Sequence, residues 1–399
     1  MSPKVRKILF PLISIFIGLL LSVAFGLTVE FFFRLNKEYS WLPPLHEKNF
    51  GSNDPKFFPT ELDLSTYKNL QPYEGIADNS EADNYDDTYG FKDCNEPRLQ
   101  LKPYWFGAPN CNARMIMKKR RSGRIVYDVH YLYDSYGLRI VPSAKKDAEK
   151  FLLFLGCSYT LGEGVDGDST FPNKLTEKLS PINAFNLGMV AYGPNHIDQL
   201  LRKDRNSDIR LQAIHGDKGI AIYTFLDDHV RRAISTLSWH RDYKAAAYAP
   251  YFRLESDMLI QEDLFFKSRP VRTKIFDFLG YSEFLNFFKI EWPLIGEDEL
   301  DLFTAIIADI KVKLVKDYQI KKFVFSVFPT NSRYIGQLKP LLEKQGIEVF
   351  DFSKVDVWSL MHDRFFLFGN GHPSPEGYQL YADLVFNEIK KRGLTSYLK

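Results

Sequence analysis

The sequence predicts an α/β fold built on a parallel sheet, and three observations carry that expectation. From Lys150 onward, short apolar runs at 151–155, 182–187, 220–225, 323–328 and 348–352 have the length of buried strands. Between them, 171–179, 197–205 and 300–316 repeat apolar residues at helical spacing, the alternation expected of strands joined by helices. The chain then closes on a helix: Ser374 can cap it, and Pro375 suits its first position. Tyr378, Tyr381, Leu384, Val385 and Ile389 form one stripe before Gly393.

The segments before this domain read differently. Lys4, Arg6 and Lys7 precede twenty-two uncharged residues, 8–29, and about twenty helical residues cross a bilayer core. This predicts a cytoplasmic tail and a transmembrane helix over 1–34, with everything after Glu30 outside the cytoplasm, at the periplasm or cell surface. A cleaved signal peptide is the competing reading, with Ser22 and Ala24 as small residues for cleavage. The length of the run and the Phe31-Phe32-Phe33 that follows favour the anchor.

Residues 35–145, rich in Asp, Asn, Pro, Tyr and Phe without a sustained 3.6-residue period, predict a small β-containing extension. Its 124–138 stretch alternates apolar and polar residues up to a Ser135-Tyr136-Gly137 turn, which predicts a strand. Cys94 and Cys111 lie in this extension; an oxidising compartment permits a disulfide between them, and two unpaired thiols are the alternative.

Residues 146–399 make the main domain. About ninety residues separate its third and fourth strands, far more than a strand-to-helix connection needs, so 231–299 reads as an inserted cap. The insert's aromatics, among them Trp239, Tyr243, Tyr248, Tyr251, Phe252 and Trp292, either line a groove or pack the insert onto the core.

Composition narrows the function classes. In 399 residues, 45% are hydrophobic and 26% charged, which fits a folded body, and the net charge of +2 is close to neutral. The densest basic run, Lys118-Lys119-Arg120-Arg121, reads as a solvated turn, so no nucleic-acid partner is expected. His196, His229, His240 and His372 lack ligand-like spacing, so no metal is expected, and no cofactor motif is complete.

The chemistry concentrates where the first strand ends, in Gly156-Cys157-Ser158-Tyr159-Thr160 followed by Gly162 and Gly164. A serine there faces the crevice beyond the strand C-termini, where open α/β sheets bind ligands, with backbone N–H groups near it to stabilise an oxyanion. Thr160 replaces the last glycine of a Gly-x-Ser-x-Gly elbow, so this is not the α/β-hydrolase turn. Cys157 is expected to be buried and inert beside the serine.

This string resembles block I of the SGNH (GDSL-like) hydrolases, with Cys157 where that motif usually has Asp. Asn186-Leu187-Gly188 with Tyr192-Gly193 resembles block II, and Gly371-His372-Pro373-Ser374-Pro375 resembles block V. The resemblance covers roughly residues 148–392. It implies a three-layer α/β/α sandwich on a five-stranded parallel sheet, with Ser158 as nucleophile and His372 as general base. It also implies oxyanion donors from Ser158 and Gly188.

Two positions depart from the family pattern. Asp227 stands where block III supplies an oxyanion Asn, and it donates only if burial keeps it protonated; otherwise it orients a neighbouring Lys or Arg. The triad acid is expected two or three residues before His372, at Asn370 or Gly369. Asn370 can orient a neutral imidazole, with Asp356 or Asp363 reaching in, or a bare Ser–His pair, as alternatives. The resemblance implies a serine esterase acting on acylated carbohydrate, O-acetyl esters being the leading substrate. An O-acetyltransferase or a catalytically silent glycan-binding relative remain the alternatives.

Overall fold

The computed structural model of the protein describes residues 25–32, 34, 114–121, 124–355, 364–367 and 370–398. Cys94, Cys111, Asp356, Asp363, Gly369 and most of the 8–29 run lie outside the described residues. Among those described, no helix is long and apolar enough to cross a membrane. The end of the apolar run is helical, through 25–32 and 34 (α1).

A hairpin follows, β1 (Arg114–Arg121) antiparallel to β2 (Arg124–Leu132). The basic run Lys118-Lys119-Arg120-Arg121 is therefore strand rather than the solvated turn its charge suggested, because it pairs along β2. The main domain then runs β3 (Lys150–Leu155), α2 (Ser158–Leu161), α3 (Phe171–Leu179), β4 (Asn183–Asn186), α4 (Pro194–Leu201), α5 (Ile209–Ala213), β5 (Lys218–Phe225) and α6 (Asp228–Ile234). The insert adds α7 (Leu237–Asp242), an antiparallel hairpin of β6 (Pro250–Glu255) and β7 (Met258–Leu264), then α8 (Phe265–Ser268), α9 (Pro270–Leu279) and α10 (Glu283–Phe287). The chain finishes with α11 (Glu297–Asp317), β8 (Ile320–Val327), α12 (Ile335–Lys344), β9 (Glu348–Asp351) and α13 (Pro375–Lys391).

The five main strands form one parallel sheet in the order β4-β3-β5-β8-β9. Alternate residues enter opposite layers, as period-2 geometry requires. Phe151, Leu153 and Leu155 join one core with α4, α6, α11 and α12, whereas Leu152 and Phe154 join the other with α3 and α13. The sheet is thus covered on both faces, and each face must be apolar, which explains the nearly continuous hydrophobic runs.

In this order the chain steps from β3 outward to β4 and returns to β5 on the other side of β3. The C-terminal ends of β3 and β5 therefore flank a topological switch point, where doubly wound sheets open a crevice. Ser158 follows β3, and Asp227 and Asp228 follow β5.

Helix α4 starts at Pro194 and ends at Leu201, earlier at both ends than its apolar spacing predicted. Gly193 is extended and Pro194 takes the first helical position, which sets the start three residues ahead of Ile197.

Candidate active site

The turn between β3 and α2 is shaped by close packing. Gly156 has φ +150°, and a Cβ there would fall 2.2 Å from Thr160 Oγ1; only glycine fits without displacing the helix that carries the serine. Cys157 is extended and fully buried, consistent with a packing role. Ser158 opens α2 and is 6% exposed. Its N–H lies in the first turn, where helical N–H groups have no intrahelical acceptor.

Behind the serine, buried Arg139 clamps the following turn, donating from Nη1 to the carbonyls of Leu161 (2.7 Å) and Gly162 (2.5 Å) and from Nη2 to Val165 (2.5 Å). Its guanidinium stacks 3.9 Å from the centre of the Tyr131 ring. The Tyr131 hydroxyl accepts from the Gly164 N–H at 2.7 Å.

The imidazole arrives on a second tight loop. The Leu367 N–H donates to the His372 carbonyl (2.8 Å) and the Asn370 N–H to the Leu367 carbonyl (3.1 Å). Leu367 is buried with Tyr127, Val129 and Tyr131 of β2, so the hairpin supports this loop from beneath. Gly164 lets the two loops meet, because a Cβ at its φ of +84° would lie 2.2 Å from Leu367 Cδ1. Tyr159 completes the union by donating its hydroxyl to the Gly371 carbonyl at 2.5 Å.

These contacts bring Ser158 and His372, 214 positions apart, to 2.8 Å between Oγ and Nε2. On the other side of the ring, His372 Nδ1 lies 2.7 Å from Asn370 Oδ1. That oxygen also accepts from Lys119 Nζ at 3.3 Å, and an ammonium can only donate, which fixes the amide with its oxygen towards the ring. Nδ1 must then carry the proton, leaving Nε2 free to accept from the serine hydroxyl.

Burial holds the His372 imidazole below its ordinary value of 6.5; the Glu163 carboxylate works against this, and Lys119 and Arg232 work with it. Near neutral pH the ring is therefore an unprotonated base. Glu163 Oε2 stands 3.3 Å from the same Nε2.

Two expected oxyanion donors do not serve. The Gly188 N–H is buried and donates to Asn186 Oδ1 at 2.9 Å, and a Cβ on Gly188 would meet the Leu161 nitrogen at 2.3 Å. This glycine packs the loop after β4 against α2 instead of facing the cleft. Asp227 accepts through both oxygens, from Ser332 Oγ (2.5 Å) and the Arg333 N–H (2.7 Å). Ser332 Oγ itself accepts from the Ile335 N–H, so its proton goes to Asp227. Burial raises the Asp227 carboxyl, against the two donors that lower it. It ties down the 330–334 turn and has no proton directed at the serine.

Ser158, His372, Asn370 and Asp227 line one cleft of about 750 Å³, together with residues that sequence reasoning missed. Ala191 is one, with φ +62° in the loop after β4. Arg232 is another: it donates to the Tyr192 carbonyl at 2.9 Å and approaches Asp228 at 3.6 Å. From the insert, Trp239 and Tyr243 border the cleft as a parallel pair, ring centres 5.1 Å apart, but Trp239 is buried in the same core as Phe252, and Tyr251 is buried within the insert. Of the pair at the groove, only Tyr243 stays partly open.

No protein-family profile and no curated protein matches the sequence. Among solved structures, the chain is similar to a protein assigned to the lipolytic G-D-S-L family from Desulfitobacterium hafniense DCB-2, at 16% identity and TM-score 0.31, over 59% of this chain and 98% of that one. It is also similar to an acetyl xylan esterase from the rumen bacterium Butyrivibrio proteoclasticus, at 9% identity and TM-score 0.35, over 62% of this chain and 65% of the other. A gut microbial diltiazem-metabolizing enzyme is similar at 15% identity and TM-score 0.31, with 62% of this chain matched to 48% of that one.

Proposed function

We propose that the protein is a membrane-anchored serine esterase of the SGNH kind, acting outside the cytoplasm on O-acyl esters of carbohydrate through Ser158 and His372. The observation that carries the reading is the hydrogen-bonded chain from Ser158 Oγ through His372 to Asn370, at the switch point of a parallel sheet.

In the first half-reaction Ser158 Oγ bonds to the ester carbonyl carbon while its proton passes to His372 Nε2. The C–O bond to the sugar then breaks, and the sugar oxygen takes that proton from the imidazolium. In the second, His372 removes a proton from water as the water oxygen bonds to the acyl carbon; the bond to Ser158 Oγ then breaks, Oγ takes the proton back from the imidazolium, and the carboxylic acid leaves. The negative charge on the tetrahedral oxygen is held by the N–H of Ser158, with Ala191 rather than Gly188 as the second donor. Each such donor contributes on the order of 3 kcal/mol.

Asn370 sets the tautomer but brings no charge to the imidazolium. Glu163 supplies it: next to a neutral Nε2 its carboxylate gains little, but once Nε2 holds the serine proton the two attract. That interaction is stronger in the transition state than before it, which is what accelerates a step.

An activated ester such as p-nitrophenyl acetate tests the reading. A burst of nitrophenol equal to the enzyme concentration is expected from the native chain and none from Ser158→Ala; equal turnover by both overturns it.

A second reading, an O-acetyltransferase, uses the same Ser158 and His372 with a sugar hydroxyl in place of water, and the partly open Tyr243 ring on the cleft wall is where that acceptor would pack. Product analysis with water and a glycan acceptor both present separates hydrolysis from transfer.

A further inference from the structure

The exposed apolar surface of the described residues is concentrated. Of their twenty exposed large hydrophobic side chains, twelve fall in two short segments, 25–32 and 271–294. Along α9, Val271, Ile275 and Phe278 are spaced four and three apart and share one face, with Phe278 78% and Val271 70% exposed. Tyr281, two residues past the end of α9, is 68% exposed, and Leu294, later in the same segment, is 77% exposed; Lys274 and Lys289 also stand exposed there. The opposite face of α9 buries Thr273 and Phe276, the latter packed with Phe265 and Trp292. The helix is thus firmly seated, with its apolar outer face in water.

Its place relative to the N-terminus is fixed by hydrogen bonds. Glu30, the first charged residue after the 8–29 run, accepts from Ser282 Oγ (2.7 Å), the Glu283 N–H (2.7 Å) and the Phe284 N–H (3.2 Å), capping α10. One turn later Arg34 Nη2 donates to the Tyr281 carbonyl at 2.7 Å. The point where the apolar run ends is therefore latched to the loop between α9 and α10, beside the exposed face.

We infer that this face docks on the lipid bilayer, with α9 lying in the headgroup layer and the insert acting as a second, interfacial anchor. The inference rests on the membrane-anchor reading of residues 8–29. If that run spans the bilayer, Glu30 marks its water boundary, and the Tyr281 loop is held at the same level. An amphipathic helix at that level sinks its apolar face about 5–10 Å into the headgroup and acyl boundary. Tyr281 and Trp292 are residue types enriched at this depth, and Lys274 and Lys289 complement anionic headgroups. The same insert supplies Trp239 and Tyr243 to the cleft, so docking would hold the cleft wall close to the membrane and favour glycans attached to or emerging from it.

The test reconstitutes the full chain in vesicles of phosphatidylethanolamine and phosphatidylglycerol, with an environment-sensitive fluorophore on Phe278→Cys. The same label on Lys391→Cys, at the end of α13 on the opposite face of the sheet, is the reference, and the unsubstituted chain labelled identically is the blank. The expected result is a blue shift of the Phe278→Cys label with quenching by headgroup-nitroxide lipid, and neither for Lys391→Cys. Flotation of the chain with vesicles while the Phe278→Cys label still reports water overturns the docking and leaves the anchor standing. A chain that does not float removes the anchor reading and the docking with it. Disulfide cross-linking between copies through Phe278→Cys, absent from the unsubstituted chain, would identify a second copy as the occupant and also overturn it.

Discussion

Ser158 and His372 stand on loops whose shapes leave little freedom, and each neighbour of the imidazole makes a separable prediction. Glu163→Gln removes a charge that favours the imidazolium, so kcat should fall about tenfold, a barrier increase of about 1.4 kcal/mol. The same change lowers the His372 pKa further. The ring acts as base only when neutral, so activity is lost as pH falls through its pKa, which already lies below 6.5. The acid limb of kcat/KM should therefore move to lower pH in Glu163→Gln and to higher pH in Lys119→Met, read from pH–rate profiles. Asn370→Asp should raise kcat, because a carboxylate at Nδ1 steadies the imidazolium more than an amide; an unchanged kcat would show that Asn370 does not contact the ring in turnover.

Ser158, His372 and Asn370 were legible because each sits in a short local string whose geometry is set by its own glycines and prolines. Glu163, Arg232 and Ala191 were not, because their roles depend on which loops the fold brings together, and no spacing encodes that. The errors at Gly188 and Asp227 have the same origin: residue type suggested a donor, but the partners of the N–H and the carboxylate are set by packing.

At the scale of elements, the strands and the last helix were read within a few residues because apolar runs and caps are local signals. The hairpin's role was hidden. Arg139 and Leu367 join β2, the turn after α2 and the His372 loop into one support, through contacts spread over more than two hundred residues of sequence. Replacing Arg139 by Met should cost on the order of 3 kcal/mol in denaturant unfolding, since three buried carbonyls lose a charged donor. Gly164→Ala should cost about 1–3 kcal/mol, from a side chain at positive φ. It should also lower kcat more than it raises KM, because the Cβ displaces Leu367 and with it the imidazole.

For the whole molecule, the sheet order places the serine of β3 and the loop after β5 at one crevice, and the insert walls that crevice with Trp239 and Tyr243. Strand count was visible in the sequence, but strand order was not, since parallel strands joined by helices can be laid down in several orders. The claim on which the account turns is that Ser158 is an activated nucleophile, and a fluorophosphonate probe reads this directly. After labelling of the full chain and peptide mapping, the adduct should lie on Ser158, and it should be lost in His372→Ala without loss of fold. A folded chain that takes no label at Ser158, or labels equally well without the imidazole, would contradict the account.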